Sequence, residues 1–345
     1  MTRHMKKLLK RLLPMIFIDE IRDVQSEVRL FRESENQRKR FLRNYSRRSC
    51  KKIPQIESRI IFFTHQIEKG LSHSDFRYGF GRGVMIQLSA MLQRLQKADT
   101  DYSHNSVYMN AIAALSEYRR RHEAAEYDID FMAQIFPSDI WTQVGKLPDC
   151  DYPNGGSLVI RAADKPDGLA DAFVKLSETR HSIREFSDEP VTKKQILTAV
   201  SMAMRTPTVC NRQSTRLHVM LDGKLIKQAL ELQGGFKGFT TPPALILVTA
   251  DNQAFMNPDE RNEGFVDGGL FGMSLLYALE ASGLAACPLN TMLPSKRDNA
   301  TRDLLHIPDS EFLVMYIAVG HFLPEVRTCV SKRFNAEDIL TFVRE

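Results

Sequence analysis

The spacing of apolar positions divides this chain into two unlike halves. From the start to about residue 45 it is charge-rich, with apolar side chains at Ile21, Val24, Val28, Leu30 and Phe31, and the spacing predicts one long helix. Pro54 marks a break. Ile53, Ile56, Ile60 and Ile61-Phe62-Phe63 then lead into His65-Gln66-Ile67-Glu68-Lys69-Gly70-Leu71, where Gly70 reads as a helix C-terminal cap. Further helices are predicted over Val84–Leu95 and from Val107 to about Glu126. Residues 137–170 hold Pro137, Pro148, Pro153, Gly155, Gly156, Pro166 and Gly168, the densest run of breakers in the chain. The expected division is therefore a mainly helical domain over 1–165 and a second domain over 170–345.

Beyond that run the pattern changes. Helices are predicted at Thr192–Met204 (opened by a Thr N-cap), Leu225–Leu232 and Val266–Ala281, the last with Gly283 just past its end. Strands are predicted at Leu217–Leu221, Ala244–Thr249 and Phe312–Val319. Helices and strands mix without strict alternation, so the expected class is α+β with a mixed or antiparallel sheet flanked by helices.

Composition adds constraints. At 345 residues and 43% hydrophobic content, the chain can fill two ordinary cores, and disorder throughout is excluded. Five cysteines, odd in number and widely spaced, argue against a disulfide framework or a zinc site and for a reducing cytoplasm. The net charge of +5 is uneven: residues 1–52 hold 16 Lys/Arg against 6 Asp/Glu, so that arm is near +10. The apolar run Leu12–Ile18 behind Lys6, Lys7, Lys10 and Arg11 is too short to span a bilayer. Peripheral contact of this basic arm with a membrane surface stays open, and nucleic acid is not an expected partner.

The chemistry concentrates in the second half. Arg180-His181-Ser182-Ile183-Arg184-Glu185-Phe186 places two guanidinium groups and a hydroxyl within five residues. If helical, Arg180 and Arg184 would face the same way, and planar guanidinium forks suit a phosphate. A solvated helix start with Glu178 and Glu185 as partners is the competing reading. Thr206-Pro207-Thr208-Val209-Cys210-Asn211-Arg212-Gln213 reads as a turn leading into a strand. Gly79-Phe80-Gly81-Arg82-Gly83 lacks dinucleotide-site spacing and reads as a tight turn before a helix. His65, Glu68 and Lys69 read as a satisfied polar network. Neither an acid/base pair nor metal-ligand spacing is evident.

Together these stretches resemble the FMN-dependent nitroreductase family, whose pattern runs R-x-S-x-R-x-F, then a helix, then P-S-x-x-N-x-Q-P-W. Asp267-Gly268-Gly269 with the following apolar helix, and Gly283-Leu284-Ala285-Ala286-Cys287-Pro288-Leu289-Asn290, are similar to the family's central helix and its G-L-G-x-x-P segment. The resemblance covers about residues 175–335 and implies a nitroreductase-like flavin-binding fold. Arg180, His181, Ser182 and Arg184 would border the FMN phosphate and ribityl chain. Pro207, Thr208, Asn211 and Gln213 would lie over the flavin from a partner subunit, and Pro288, Leu289, Asn290 and Thr291 would pass the ring. Lys332 or Arg333 would close the phosphate site, and Lys237 would stand near flavin N1 and O2. Gly268, Gly269, Gly272 and Ala278 would let the central helix pack on its symmetry mate. Thr208 stands where the family has Ser, and Ser214-Thr215 where it has Pro-Trp.

The implied activity is a homodimeric, FMN-dependent NAD(P)H oxidoreductase working by ping-pong hydride transfer to an electron-poor small-molecule acceptor. The isoalloxazine carries the redox chemistry, so no catalytic side chain is assigned. The alternatives are a flavin-dependent dehydrogenase or oxidase of a biosynthetic intermediate, and a non-enzymatic flavin-binding interaction protein.

Overall fold

The computed structural model describes residues 15–147 and 155–343. The basic residues at 6–11, most of the apolar run after them, and Pro148, Cys150 and Pro153 lie outside the described residues.

Helix α1 (Met15–Asn44) is 30 residues long and joins the halves. Its C-terminal end packs against the far half: Phe41, 5% exposed, enters the sheet's own core. Arg43 grips Asp309 through two bonds of 2.8 and 3.1 Å, Arg40 reaches Asp298 at 3.1 Å, and Asn44 donates to the Asp309 carbonyl at 3.1 Å and to one carboxylate oxygen of the same residue at 2.9 Å. Upstream, Ile21, Val24, Val28, Leu30 and Phe31 are exposed.

Five helices then enclose a separate core: α2 (Ile53–Leu71), α3 (Arg82–Ala98), α4 (Ser106–Ala124), α5 (Phe131–Ile135) and α6 (Ser138–Lys146). The repeated aliphatics of α2 and α3, among them Ile56, Ile60, Ile67, Leu88, Leu92 and Leu95, meet Tyr108, Leu115 and Tyr118 of α4. Asn105 caps α4 by accepting the N–H groups of Val107 and Tyr108. Gly70 does not cap α2: the helix continues to Leu71, and Ser72 is its cap. Gly70 is needed because the Phe80 ring occupies the space a Cβ would take. Gly79–Gly81 form the turn before α3, with Gly79 and Gly81 at φ +72° and +79°, and Arg82 and Gly83 open the helix.

The second half contains α7 (Leu169–Thr179), α8 (Lys193–Ala203), β1 (Thr215–Met220), α9 (Gly223–Gln233), β2 (Ala244–Asp251), α10 (Glu263–Ala281), β3 (Leu284–Asn290), α11 (Ser295–Leu305) and β4 (Glu311–His321). Thr192 and Gln195 form a full capping box at the start of α8. The four strands run in the order β1-β2-β4-β3, each pair antiparallel. α8 and α10 pack on one face, while α9 and α11 with Ile183 and Phe186 pack on the other. All eight β2 residues are consequently buried, which explains the continuous apolar run Ala244–Val248. The α+β expectation holds.

Two elements have weak signals in the sequence. β3 contains Pro288, which a sheet tolerates at an edge. α11 has few apolar side chains and is held by buried Arg302, which pairs with Asp298 at 2.7 Å and donates to the Glu311 carbonyl at 2.7 Å.

Candidate active site

Arg180 closes α7 with its N–H on the Leu176 carbonyl, and the chain then extends alongside β3. Ser182 bridges Ala286 in parallel, and the Ile183 N–H donates to the Ala286 carbonyl at 3.1 Å. The two arginines are thus not on one helical turn, as their spacing had suggested. They share a side because alternate residues of an extended chain do so, which puts 180, 182 and 184 on one face. Both guanidinium groups lie near Cys287 of β3. Burial pushes that thiol up, with the two arginines pulling the other way. Among the described residues neither arginine has a carboxylate within ion-pair distance, and Arg184 makes only a long 3.5 Å bond to the Ser182 carbonyl. Glu178 and Glu185 therefore do not neutralise them. Two unpaired cations held side by side repel unless an anion lies between them.

The flanking candidates divide. The Thr328 hydroxyl donates to the Ser182 carbonyl at 2.9 Å, so the segment after β4 crosses this cradle. Lys332 and Arg333, a few residues on, are exposed, and Arg333 turns back to the Ser331 carbonyl. His181 is exposed on the other face, its Nδ1 against the Thr179 carbonyl at 2.8 Å. Lys237 sits in the α9–β2 loop beside Phe236 and Phe239, and no contact among the described residues ties it to the cradle.

Among the described residues, left-handed non-glycine backbone is densest in the turn before β1. Cys210, Asn211 and Gln213 take left-handed φ values of 48°, 55° and 49°, each costing on the order of 1–3 kcal/mol for a side chain with a Cβ. A buried scaffold compensates. Asp267 of α10 accepts the Val209 N–H and the Ser214 hydroxyl, both at 3.0 Å, and Thr208 Oγ1 accepts the Gln213 N–H at 3.0 Å. The Arg212 side chain, fully buried, forks onto Glu260 at 2.7 and 2.9 Å. Its guanidinium lies 5.9 Å from the Phe62 ring of the helical half and 5.8 Å from Phe255.

The electrostatics of this scaffold follow from burial and pairing. Burial pushes Glu260 up, but Arg212 and the Met256 N–H outweigh it and its net direction is down. For Asp267 burial wins over its hydrogen bonds and Arg212, and the net direction is up. Pro207, Asn211 and Gln213 are left exposed, with Gln213 Nε2 donating to the Asn211 carbonyl. Residue-type reasoning missed the roles of Arg212, Glu260 and Asp267. Partners 48 residues or more apart leave no local pattern to read.

Along β3, Leu289 is buried and Asn290 exposed, with the Asn290 carbonyl accepting Gln233 Nε2 at 3.2 Å. Thr291 is 5% exposed, yet its hydroxyl has no hydrogen-bond partner among the described residues. An orphaned buried hydroxyl next to an open strand edge fits a polar ligand group there. Gly268 and Gly272 of α10 face β4, where an added Cβ would meet Val314 at 2.8 Å and Met315 at 2.7 Å. Their smallness serves helix-on-sheet packing, and Ala278 is likewise buried. Gly269 alone of the set faces open space.

Comparison with known proteins bears on this half of the chain. Residues 178–235 and 231–321 match the model of the nitroreductase family. The C-terminal half is nitroreductase-like. Its match begins two residues before Arg180 and closes at the last residue of β4, so it contains the arginine pair, the strained turn and β3. The chain is 24% identical over 181 residues to FMN reductase [NAD(P)H] of Bacillus subtilis (strain 168), an alignment covering 48% of this chain and 71% of that protein. Among solved structures, it aligns with NfrA2 of B. megaterium at 21% identity and a TM-score of 0.44, covering 49% of this chain and 72% of that one. With an FMN-dependent nitroreductase from Clostridium difficile R20291 the identity is 18% and the TM-score 0.40, covering 48% and 94%.

Proposed function

We propose that this protein is an FMN-dependent NAD(P)H oxidoreductase of nitroreductase type. The observation that carries the reading is the pair of unneutralised guanidinium groups, Arg180 and Arg184, held against β3 inside the stretch that matches the family. Arg180, Ser182 and Arg184 would bind the FMN phosphate, charge-assisted bonds from two forks supplying most of the grip. The free Thr291 hydroxyl and the backbone around Asn290 would border the ring. Bound there, FMN supplies hydride acceptance from a nicotinamide and donation to an electron-poor acceptor.

The protein's own part is to position and to exclude water. Asn211 and Gln213 stand on a turn too well braced to drift, and they would cover the flavin of a second copy. Exposed apolar side chains support a homodimer: Val266 and Leu270 on α10, Leu197 on α8, and Val330, Phe334 and Phe342 after β4. Lys332 and Arg333 lie in that same exposed stretch, where a second copy would order them against a phosphate. The helical unit would brace the turn through Phe62, and a cytoplasmic setting agrees with the free thiols of Cys50, Cys210, Cys287 and Cys329. No helix among the described residues is long and apolar enough to cross a membrane.

Steady-state oxidation of NADH and NADPH with a quinone or a nitroaromatic compound tests the reading. Parallel double-reciprocal lines are expected, because the nicotinamide leaves before the acceptor binds. Flavin-loaded protein that oxidises neither nicotinamide would exclude it.

A further inference from the structure

A second cationic site lies where the two halves meet, away from the arginine pair beside β3. A cavity of about 580 Å³ there is lined by Arg48, Arg59 and Arg94, with Phe63, Met256 and Asn257 among its other walls, and no carboxylate lines it. None of the three arginines has an ion-pair partner among the described residues. Arg59 is 7% exposed, pinned by its Nε on the Arg47 carbonyl at 3.1 Å and its Nη2 on the Ser46 carbonyl at 2.8 Å. Arg94 is tied to the same loop, its Nη1 donating to the Arg48 carbonyl at 2.9 Å. Burial chiefly lowers the Arg59 guanidinium; Cys50 beside it pulls the other way, and the charges of Arg48 and Arg94 add to the lowering.

Arg59 is buried while Arg48 and Arg94 are exposed, so one desolvated guanidinium without a carboxylate partner is flanked by two solvated ones, an arrangement that favours an anion in the cavity. The fixed fork geometry suits a phosphate, while the Phe63 and Met256 walls suit an apolar or flat substituent on it. We infer that this junction cavity binds a small organic phosphate such as a nucleotide, its phosphates on Arg48, Arg59 and Arg94. The site is independent of the flavin reading, since it shares no residue with the cradle beside β3.

The test is calorimetric titration of the full-length protein, saturated with FMN, with ADP and separately with pyrophosphate. ADP should bind, more tightly than pyrophosphate, and more weakly as salt is raised. Arg48→Ala/Arg94→Ala should weaken ADP at least about tenfold, as expected for the loss of charge-assisted bonds, and leave flavin content unchanged. Arg59 is kept because it also ties down the 46–47 carbonyls. Arg180→Ala/Arg184→Ala should bind ADP as wild type does. The inference is overturned if wild type shows no binding at millimolar ADP, if the Arg48/Arg94 variant binds normally, or if the Arg180/Arg184 variant is the one that fails. Equal affinity for ADP and pyrophosphate would overturn the organic part of the assignment.

Discussion

Arg212 shows how one buried charge can set a surface. Its side chain has no solvent exposure, and its two bonds to Glu260, with Phe62 and Phe255 nearby, fix a turn that displays Asn211 and Gln213 outward. Breaking a buried pair from one side leaves an uncompensated charge, which costs about 3–5 kcal/mol. Glu260→Ala should therefore lower unfolding free energy by roughly 3 kcal/mol in urea titrations. An effect below about 0.5 kcal/mol, the range of a surface substitution, would show that the pair does not brace the turn. This layer was the least legible in the sequence. The hydroxyl and the two guanidinium groups at 180–184 could be read from residue type alone, whereas Glu260 and Asp267 acquire meaning only once the fold brings them under the turn. The shared face of Arg180 and Arg184 was foreseen, but for the wrong periodicity.

At the scale of elements, the long first helix and the central α10 make separable predictions. Asp309 holds the end of α1. Arg43 chiefly, then Asn44 and Arg40, bring its carboxyl down to about 2 from the usual 3.8, against the opposing effect of burial. A carboxylate lowered on folding stabilises fully above its unfolded pKa and loses that contribution as pH falls toward the folded value. The melting-temperature gap between wild type and Asp309→Asn should thus be widest above about pH 5 and close between pH 4 and 2. A gap independent of pH would contradict the assignment.

In α10, Gly268→Ala would press a Cβ to within 2.8–3.3 Å of Val314, while at Gly269 nothing lies within 4 Å. Overpacking of this kind costs about 1–3 kcal/mol, more than the roughly 1 kcal/mol that alanine gains over glycine in a helix. Gly268→Ala should lower the melting temperature of the protein, and Gly269→Ala should not. The reverse order would refute the close approach of α10 to β4. The apolar periodicity made α2, α3, α4, α8 and α10 readable. β3 and α11 were not, because an edge strand can carry a proline and a helix pinned by Arg302 needs little apolar surface.

The whole molecule couples a helical unit of its own core to a four-stranded sheet, with α1 and the Phe62–Arg212 contact crossing between them. Val266 and Leu270, 54% and 48% exposed on α10, leave an apolar face that a second copy would cover. On the proposed homodimer, Val266→Arg/Leu270→Arg should yield a monomer in sedimentation and lower flavin content, since each turn would lose the site it is proposed to cover. Unchanged dimer in that variant would place the interface elsewhere. The helical character of the first half and the mixed character of the second were visible in the spacing of their apolar residues. What the helical half does was not visible, because its contact with the turn, Phe62 on Arg212 included, joins residues far apart in the sequence.

Titration of flavin-free protein with FMN, followed by the change in flavin fluorescence, tests the central claim most directly. One FMN per protomer is predicted for wild type. Arg180→Ala/Arg184→Ala should remain folded by circular dichroism and bind at least about a hundredfold more weakly, at roughly a factor of ten or more per charge-assisted arginine. A well-folded wild type that takes up no FMN, or a double variant that retains full affinity, would contradict it.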